Sequence, residues 1–154
     1  MTADRLLDAL RERGLTLAIA EGDTGGLVLE LLTAVPGSSA VVLGGVVAYH
    51  DSLKQSLLAV SSDVLRAHGA VSQQTAEAMA RGVVHATGAN VGIAATGIAG
   101  PGGATLTKPV GLTWLAVADA QRTRSRQHQW QGDRAHNRNA SANALIDLAL
   151  EFLS

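Results

Sequence analysis

The sequence predicts an α/β fold, a three-layer α/β/α sandwich with a mixed, partly parallel sheet. Short apolar runs containing β-branched residues alternate with segments whose apolar residues have helical spacing, a pattern typical of parallel strands linked by helices. These runs are 15–21, 41–49 and 89–97. Two further strand-like runs, 110–119 and 123–132, follow each other closely, which indicates an antiparallel hairpin.

The helical segments have recognisable start and stop residues. They are 3–13, 26–35, 52–60, 61–69, 72–88 and 134–153. Gly14 follows the first segment and Gly69 closes the segment at 61–69, as glycines at helix ends commonly do, and Pro36 with Gly37 ends the segment at 26–35. Ser72 is the expected N-cap of the segment at 72–88.

Two of the predicted strands and one loop have further features that predict their roles. Gly44 and Gly45 within the second strand predict a bulge or a close backbone approach. The run at 123–132 alternates polar and apolar residues, as an exposed edge strand does. The longest irregular stretch is the loop at 98–109, and long loops at strand ends in such folds often form binding sites.

Composition limits the classes of protein to which the chain can belong. The 154 residues fit one domain, 1–154, and the net charge of −1 argues against nucleic-acid or anionic-membrane partners. With no cysteine, disulfides and thiolate chemistry are excluded. No signal peptide is recognised and no apolar run approaches the roughly 20 residues of a membrane span. We therefore expect a cytoplasmic protein.

The turn at 21–26 is the first candidate for a binding site. It joins a predicted strand to a predicted helix, whose first amides lack backbone partners and carry partial positive charge. Thr24, Gly25 and Gly26 would suit a phosphate there. The alternative is a tight turn with a capping side chain, since the motif has neither the Walker nor the dinucleotide-binding spacing.

A hydroxyl and an amine provide the second candidate. Ser38 and Ser39 follow a Pro-Gly break, and either caps a turn or acts as a nucleophile with a base nearby. Tyr49, the single tyrosine, and Lys54 follow the second strand. A desolvated lysine can activate a hydroxyl, whereas a solvated lysine on a short helix has no such role. His50 and Asp51 lack a third metal-type neighbour at helical spacing, so no metal site is predicted.

The glycine-rich stretch at 95–111 provides a third candidate. Thr96 offers a hydroxyl at a strand end, and the glycines that begin at Gly97 allow backbone amides to approach a ligand closely. Arg134, at the start of the last helix, is placed to reach an anion or to cap the hairpin. A surface salt bridge is the alternative for this arginine.

Taken in order, several stretches resemble one known family. They are "TLAIAE…TGGL", "VPGSSA", "LGGVVAY…K", "L..HGAVS", "TGIAGPGG", "KPVGLTW" and "GDR…R", and they extend from Leu15 to the last helix. The chain resembles the C-terminal domain of the competence/damage-inducible protein CinA, the nicotinamide-nucleotide amidohydrolase (NMN deamidase) family. The N-terminal domain of longer relatives is not expected here.

This resemblance implies hydrolysis of nicotinamide mononucleotide to nicotinate mononucleotide and ammonia, without a metal or organic cofactor. It implies that the hydroxyl of Ser39, or else of Ser38, attacks the carboxamide, while Tyr49 and Lys54 move the proton. The phosphate, the ribose and the pyridine ring of the substrate would be held by the turn at 21–26, the end of the strand at 89–97 and the start of the helix at 134–153. The residues are Thr24, Gly25, Gly26, Thr96, Gly97 and Arg134.

The chain departs from the family at the first turn, where the usual Glu-Ser-Cys-Thr-Gly-Gly reads Glu21-Gly22-Asp23-Thr24-Gly25-Gly26. A usual Ser-Asn also reads His50-Asp51. An Asp23 carboxylate bonded to the helix amides would compete with a phosphate, so we expect it to turn away or to replace the anion.

Three hypotheses follow from these departures. The chain is an amidase that tolerates the change, a non-catalytic relative that binds nucleotides or forms oligomers, or an amidase for an unphosphorylated substrate. A homodimer is expected from the Ala- and Leu-rich helices.

Overall fold

A five-stranded mixed sheet lies between two layers of helices in the computed structural model, which describes residues 2–154. The strands are β1 (Leu17–Glu21), β2 (Val42–Val47), β3 (Val91–Gly97), β4 (Leu112–Ala118) and β5 (Thr123–Gln129). The helices are α1 (Thr2–Arg13), α2 (Leu27–Thr33), α3 (Asp51–Leu58), α4 (Ser62–His68), α5 (Gln73–Thr87) and α6 (Arg134–Leu153). One short 3-10 helix, Ser38–Ala40, which the sequence did not predict, precedes β2.

The strand order is β2-β1-β3-β4-β5. Strand β1 is parallel to both β2 and β3, whereas the β3–β4 and β4–β5 pairs are antiparallel. The predicted mixed, partly parallel sheet is therefore confirmed. Because β1, β2 and β3 run in the same direction, their carboxyl ends at Glu21, Val47 and Gly97 lie at one edge of the sheet, where α/β proteins usually bind ligands.

The two faces of the sheet differ in side-chain size. Leu17 and Ile19 of β1 belong to the core under α1, α2 and α6, while Ala18 and Ala20 belong to the opposite core under α3, α4 and α5. The small side chains allow α5 to lie close to the sheet. A Cβ added at Gly92 would lie only 2.2 Å from the carbonyl oxygen of Ala80. The predicted three-layer sandwich is thus confirmed, with one layer packed more closely than the other.

Both features predicted for the glycine pair of β2 are present. The pairing of β1 with β2 shifts register between Leu17 and Ala18, which marks a bulge. A Cβ at Gly45 would lie 2.4 Å from the carbonyl oxygen of Ile19, so the backbones approach closely. Strand β5 is at the edge of the sheet, as its alternating pattern predicted. Within residues 2–154, no helix has both the length and the apolar character needed to cross a bilayer.

Candidate functional site

A cavity of about 400 Å³ lies at the carboxyl ends of the parallel strands. Its wall comes from five parts of the chain, namely the turn after β1, the segment after β2, the connection between α4 and α5, the end of β3 with the loop that follows, and the start of α6. The residues with polar side chains in this wall are Asp23, Tyr49, Asp51, Lys54, Thr96 and Arg134. Tyr49, Lys54, Thr96, Gly97 and Arg134, predicted from separate stretches of sequence, are therefore brought together.

Lys54 is buried in the cavity wall, with 3% of its surface exposed. Its Nζ donates to the carbonyl oxygens of Ala48 at 3.0 Å and Tyr49 at 3.5 Å, and to Asp51 Oδ1 at 3.4 Å. These three acceptors match the three N–H donors of an ammonium group. The solvated lysine considered from the sequence is therefore excluded, and the amine is fixed in place by the backbone after β2.

Arg134 connects the start of α6 to two other parts of the cavity wall. Its Nη1 donates to the carbonyl oxygen of Gly100 at 2.8 Å, and its Nη2 donates to the hydroxyl of Tyr49 at 3.0 Å. Tyr49 is 62% exposed, so this contact lies at the cavity rim. Arg134 forms no salt bridge with any residue in the described range 2–154. Its guanidinium is thus oriented without being neutralised.

Thr96 and Gly97 form the inner end of the cavity. Thr96 is 2% exposed and its hydroxyl donates to the carbonyl oxygen of Ala70 at 2.7 Å, which fixes the segment before α5. A Cβ added at Gly97 would lie 2.6 Å from Thr113 Oγ1 and 2.9 Å from Asp23 Oδ2. Gly97 therefore leaves the space in which the Asp23 carboxylate packs.

The predicted phosphate site at Thr24, Gly25 and Gly26 is corrected by the structure. The side chain of Glu21, 1% exposed, accepts hydrogen bonds from the amides at the start of α2. Val28 N donates to its Oε1 at 2.9 Å and Leu29 N to its Oε2 at 3.1 Å. Two donors expected to bind a ligand anion therefore bind an internal carboxylate.

The predicted turn residues also lie away from the cavity. Thr24, Gly25 and Gly26 are absent from its wall, which on this side is formed by Gly22 and Asp23. Arg138 of α6 binds the turn instead, with Nε donating to the carbonyl oxygen of Asp23 at 2.9 Å and Nη2 to that of Thr24 at 3.0 Å. The turn is thus held by the protein's own groups.

The Asp23 carboxylate turns away from the α2 amides and packs beside Gly97. Its Oδ1 is buried and has no hydrogen-bond partner among residues 2–154. Burial raises the pKa of Asp23 above its ordinary value of 3.8, although its own amide and the positive charges of Arg138, Arg134 and Lys54 act in the opposite direction. Asp23 was expected either to turn away from the helix amides or to replace the anion. It turns away, and Glu21 takes the place of the anion.

Ser39 and Ser38 are not part of the cavity, which corrects their predicted convergence with Lys54. Both lie in the 3-10 helix before the six-residue strand β2, whereas Lys54 bonds to backbone after that strand. At about 3.3 Å per residue, the strand separates them by roughly 20 Å. A hydroxyl at this distance cannot transfer a proton to Lys54, so the predicted serine–lysine pair does not form.

Gly22 is a cavity residue that the sequence analysis did not assign to the site. A Cβ added there would lie 3.2 Å from the carbonyl oxygen of Ala95 and 3.8 Å from Thr96 Oγ1, and the backbone of Gly22 is outside the left-handed region. A side chain at this position would therefore be accommodated in the cavity wall. The departure from Glu-Ser-Cys-Thr-Gly-Gly at position 22 was the indication that could have identified it.

An α/β/α sandwich with such a cavity at the carboxyl ends of its parallel strands has the architecture of the doubly wound α/β class, in which ligands usually bind at this edge. Within residues 2–154, no group of three or more His, Asp or Glu side chains is placed to hold a metal ion. The chain belongs to the CinA C-terminal domain family, whose sequence model matches residues 1–153. The predicted family resemblance is thereby confirmed.

Individual relatives agree with this membership. A CinA-like protein from Salinibacter ruber is 48% identical over 147 residues, which cover 96% of this chain and 36% of the relative. The chain thus spans about a third of the length of the curated relatives it matches. A crystal structure of the competence/damage-inducible protein CihA from Agrobacterium tumefaciens superposes with a TM-score of 0.94 at 38% identity, covering 99% of this chain and 93% of that one. A CinA superfamily protein from Klebsiella pneumoniae gives 0.95 at 30% identity, covering 99% and 95%.

Proposed function

We propose that this domain binds a pyridine mononucleotide such as nicotinamide mononucleotide in the cavity and has lost the serine-based hydrolysis of its amide. One observation carries the proposal. Gly22 lies in the cavity wall where the family motif has a serine, and the alternative hydroxyls, Ser38 and Ser39, lie beyond the far end of β2. The family's amide hydrolysis is implied by the resemblance, but the cavity wall contains no serine that could act as its nucleophile.

The binding part of the proposal is supported by the size and the polar groups of the cavity. A volume of about 400 Å³ falls within the range of roughly 300–1,000 Å³ that is usual for small-molecule sites. Arg134 uses one N–H on Gly100 and one on Tyr49, and a guanidinium has five. Its remaining donors suit a phosphate group. At the inner end, the oxygens of Asp23 and Thr96 are acceptors that suit the N–H donors of a carboxamide.

The loss of serine chemistry follows from the groups that remain. Lys54 is fixed by three acceptors, but the cavity wall offers it no serine hydroxyl to deprotonate. Removal of the serine nucleophile lowers kcat by roughly 10⁶-fold in a well-studied serine protease. We therefore expect binding without measurable ammonia release.

A second candidate function is favoured by Asp23. The carboxylate lies in the cavity wall and burial raises its pKa, which brings it closer to the range suited to a general base near neutral pH. In this alternative Asp23 takes a proton from a water molecule beside Gly22. The resulting hydroxide attacks the carboxamide carbon, the proton held by Asp23 passes to the amide nitrogen, and the C–N bond breaks to release ammonia and the carboxylic acid.

Calorimetry and an ammonia assay test both candidates. We expect purified protein to bind nicotinamide mononucleotide and to release no ammonia at high enzyme concentration. The double variant Gly22→Ser/Asp23→Cys should gain release, and the Ser39→Ala control should change neither measurement. Release by the unmodified protein that is lost in Asp23→Asn would establish the second candidate. No detectable binding, or release lost in Ser39→Ala, would overturn the proposal.

A further inference from the structure

A second cavity of about 550 Å³ lies beside the first. The two share four wall residues, Ala99, Gly100, Pro101 and Arg134, so they are neighbours across the glycine-rich loop and the start of α6. The mononucleotide proposed above uses only the first cavity. The second cavity is therefore large enough to take a further group of comparable size attached to the same ligand.

The wall of the second cavity is mainly apolar. Beyond the four shared residues, it is formed by Val110 from the end of the loop, Gly132 and Asp133 before α6, and Ala135 in the first turn of α6. Ala135 is exposed and Val110 is half-buried, so the cavity is open to solvent along α6. A shallow apolar site of this kind suits a flat heterocyclic base.

The charged groups between the cavities suit phosphate and ribose. The guanidinium of Arg134 lies at the boundary and keeps N–H donors beyond those used on Gly100 and Tyr49. Asp133 is the N-cap of α6, and its Oδ1 accepts from His136 N at 2.8 Å. Its other oxygen accepts no hydrogen bond from the described residues 2–154, which leaves it available to a ribose hydroxyl, a role that acidic residues have in dinucleotide-binding folds.

We propose that the two cavities together bind a dinucleotide, in which a diphosphate joins a pyridine nucleoside to a second nucleoside. The pyridine nucleoside occupies the first cavity, the diphosphate lies over Arg134, and the second base lies against Val110 and Ala135. The first half of this inference rests on the proposed function. The second half rests on the neighbouring cavity and its charged boundary.

Calorimetry with nicotinamide mononucleotide and with nicotinamide adenine dinucleotide tests the inference. We expect the dinucleotide to bind at least tenfold more tightly. Ala135→Phe should fill the second cavity and reduce dinucleotide affinity to that of the mononucleotide, whose own affinity should not change. Asn139→Phe places the same ring one turn later on α6, at an exposed position outside both cavities, and should change neither affinity.

The outcomes separate the inference from the proposed function. If the mononucleotide binds but the dinucleotide binds no more tightly, or if Ala135→Phe leaves both affinities unchanged, the dinucleotide site is wrong and the mononucleotide function stands. If only the dinucleotide binds, and Ala135→Phe abolishes this, the mononucleotide function is wrong and the second site is supported. If neither ligand binds, both are wrong. Should Ala135→Phe fail to fold by its thermal transition, Ala135→Leu replaces it.

Discussion

Arg134 Nη2 donates a hydrogen bond to the hydroxyl of Tyr49 at 3.0 Å, although the two residues are 85 positions apart in the sequence. The bond joins the first residue of α6 to the segment after β2 across the rim of the cavity. Because Nη1 is held at the same time by the carbonyl oxygen of Gly100, the plane of the guanidinium is fixed at two points. A fixed guanidinium loses less conformational entropy when it binds an anion than a free one does.

Tyr49→Phe removes one of the two hydrogen bonds that hold the Arg134 guanidinium and keeps the aromatic ring. A hydrogen bond of this type contributes about 0.5–1.5 kcal/mol. We therefore expect affinity for nicotinamide mononucleotide to fall by roughly twofold to twelvefold. The exposed position of Tyr49 predicts little change in thermal stability. Calorimetry compares the variant with Leu43→Ala, an exposed change on β2 outside the cavity. Equal affinities in Tyr49→Phe and the unmodified protein would show that the hydroxyl does not position Arg134.

Glu21→Gln tests the internal carboxylate at the start of α2. The substituted amide has only one acceptor oxygen, so either Val28 N or Leu29 N loses its partner. An unsatisfied buried donor costs about 1–3 kcal/mol, which for a chain of this size lowers Tm by roughly 2–12 °C. Glu30→Gln, an exposed change in the same helix, is the control and should leave Tm unchanged. Equal Tm values in the two variants would refute the capping role.

Asp23→Asn should change how stability depends on pH. Burial raises the pKa of Asp23 above 3.8, so the folded state holds this proton more tightly than the unfolded state does. The contribution of Asp23 to the free energy of unfolding therefore decreases as pH rises from 3.8 through the raised pKa. The stability of Asp23→Asn relative to the unmodified protein should increase over that window and level off above it.

Urea unfolding between about pH 3.5 and 8 measures this difference, since the midpoint follows the free energy of unfolding when the slope is constant. Asp8→Asn, a change to a surface carboxylate, is the control. A difference between Asp23→Asn and the unmodified protein that is independent of pH would be incompatible with a raised pKa.

Gly97→Ala tests the space beside Asp23. The new methyl group would lie 2.6 Å from Thr113 Oγ1 and 2.9 Å from Asp23 Oδ2, closer than such atoms can approach. Overpacking of this kind typically costs about 1–3 kcal/mol. Gly102→Ala, in the loop that follows β3, has no atom within 4 Å of the added methyl group and should be tolerated. Urea unfolding should separate the two variants, and equal midpoints would show that the site relaxes without cost.

The order and type of the predicted elements follow from the sequence because each strand and helix has its own periodicity and end residues. Gly45 and Ser72 illustrate this, since the close approach at the first and the N-cap at the second are both present in the structure. The 3-10 helix at Ser38–Ala40 was not predicted because three residues are too few to show a period.

The errors in the site have different physical causes. Ser39 precedes β2 and Lys54 follows it, so the two had to lie at opposite ends of that strand whatever its neighbours were. The phosphate prediction overlooked Glu21, a carboxylate at the end of a buried strand that needs partners, and the nearest free donors are the amides of the next helix. The spacing of residues in the sequence does not show which way a side chain points in a turn. That direction determines that Glu21, and not Asp23, accepts hydrogen bonds from the amides of α2.

The carboxylate at the start of α2 also bears on the orientation of the proposed ligand. Because the protein supplies its own counter-charge to that helix end, those amides are not available to the anionic end of a ligand. Arg134, which has no ion-pair partner within residues 2–154, lies at the cavity rim. We therefore expect the proposed mononucleotide to place its phosphate outward, at Arg134, and its uncharged carboxamide inward.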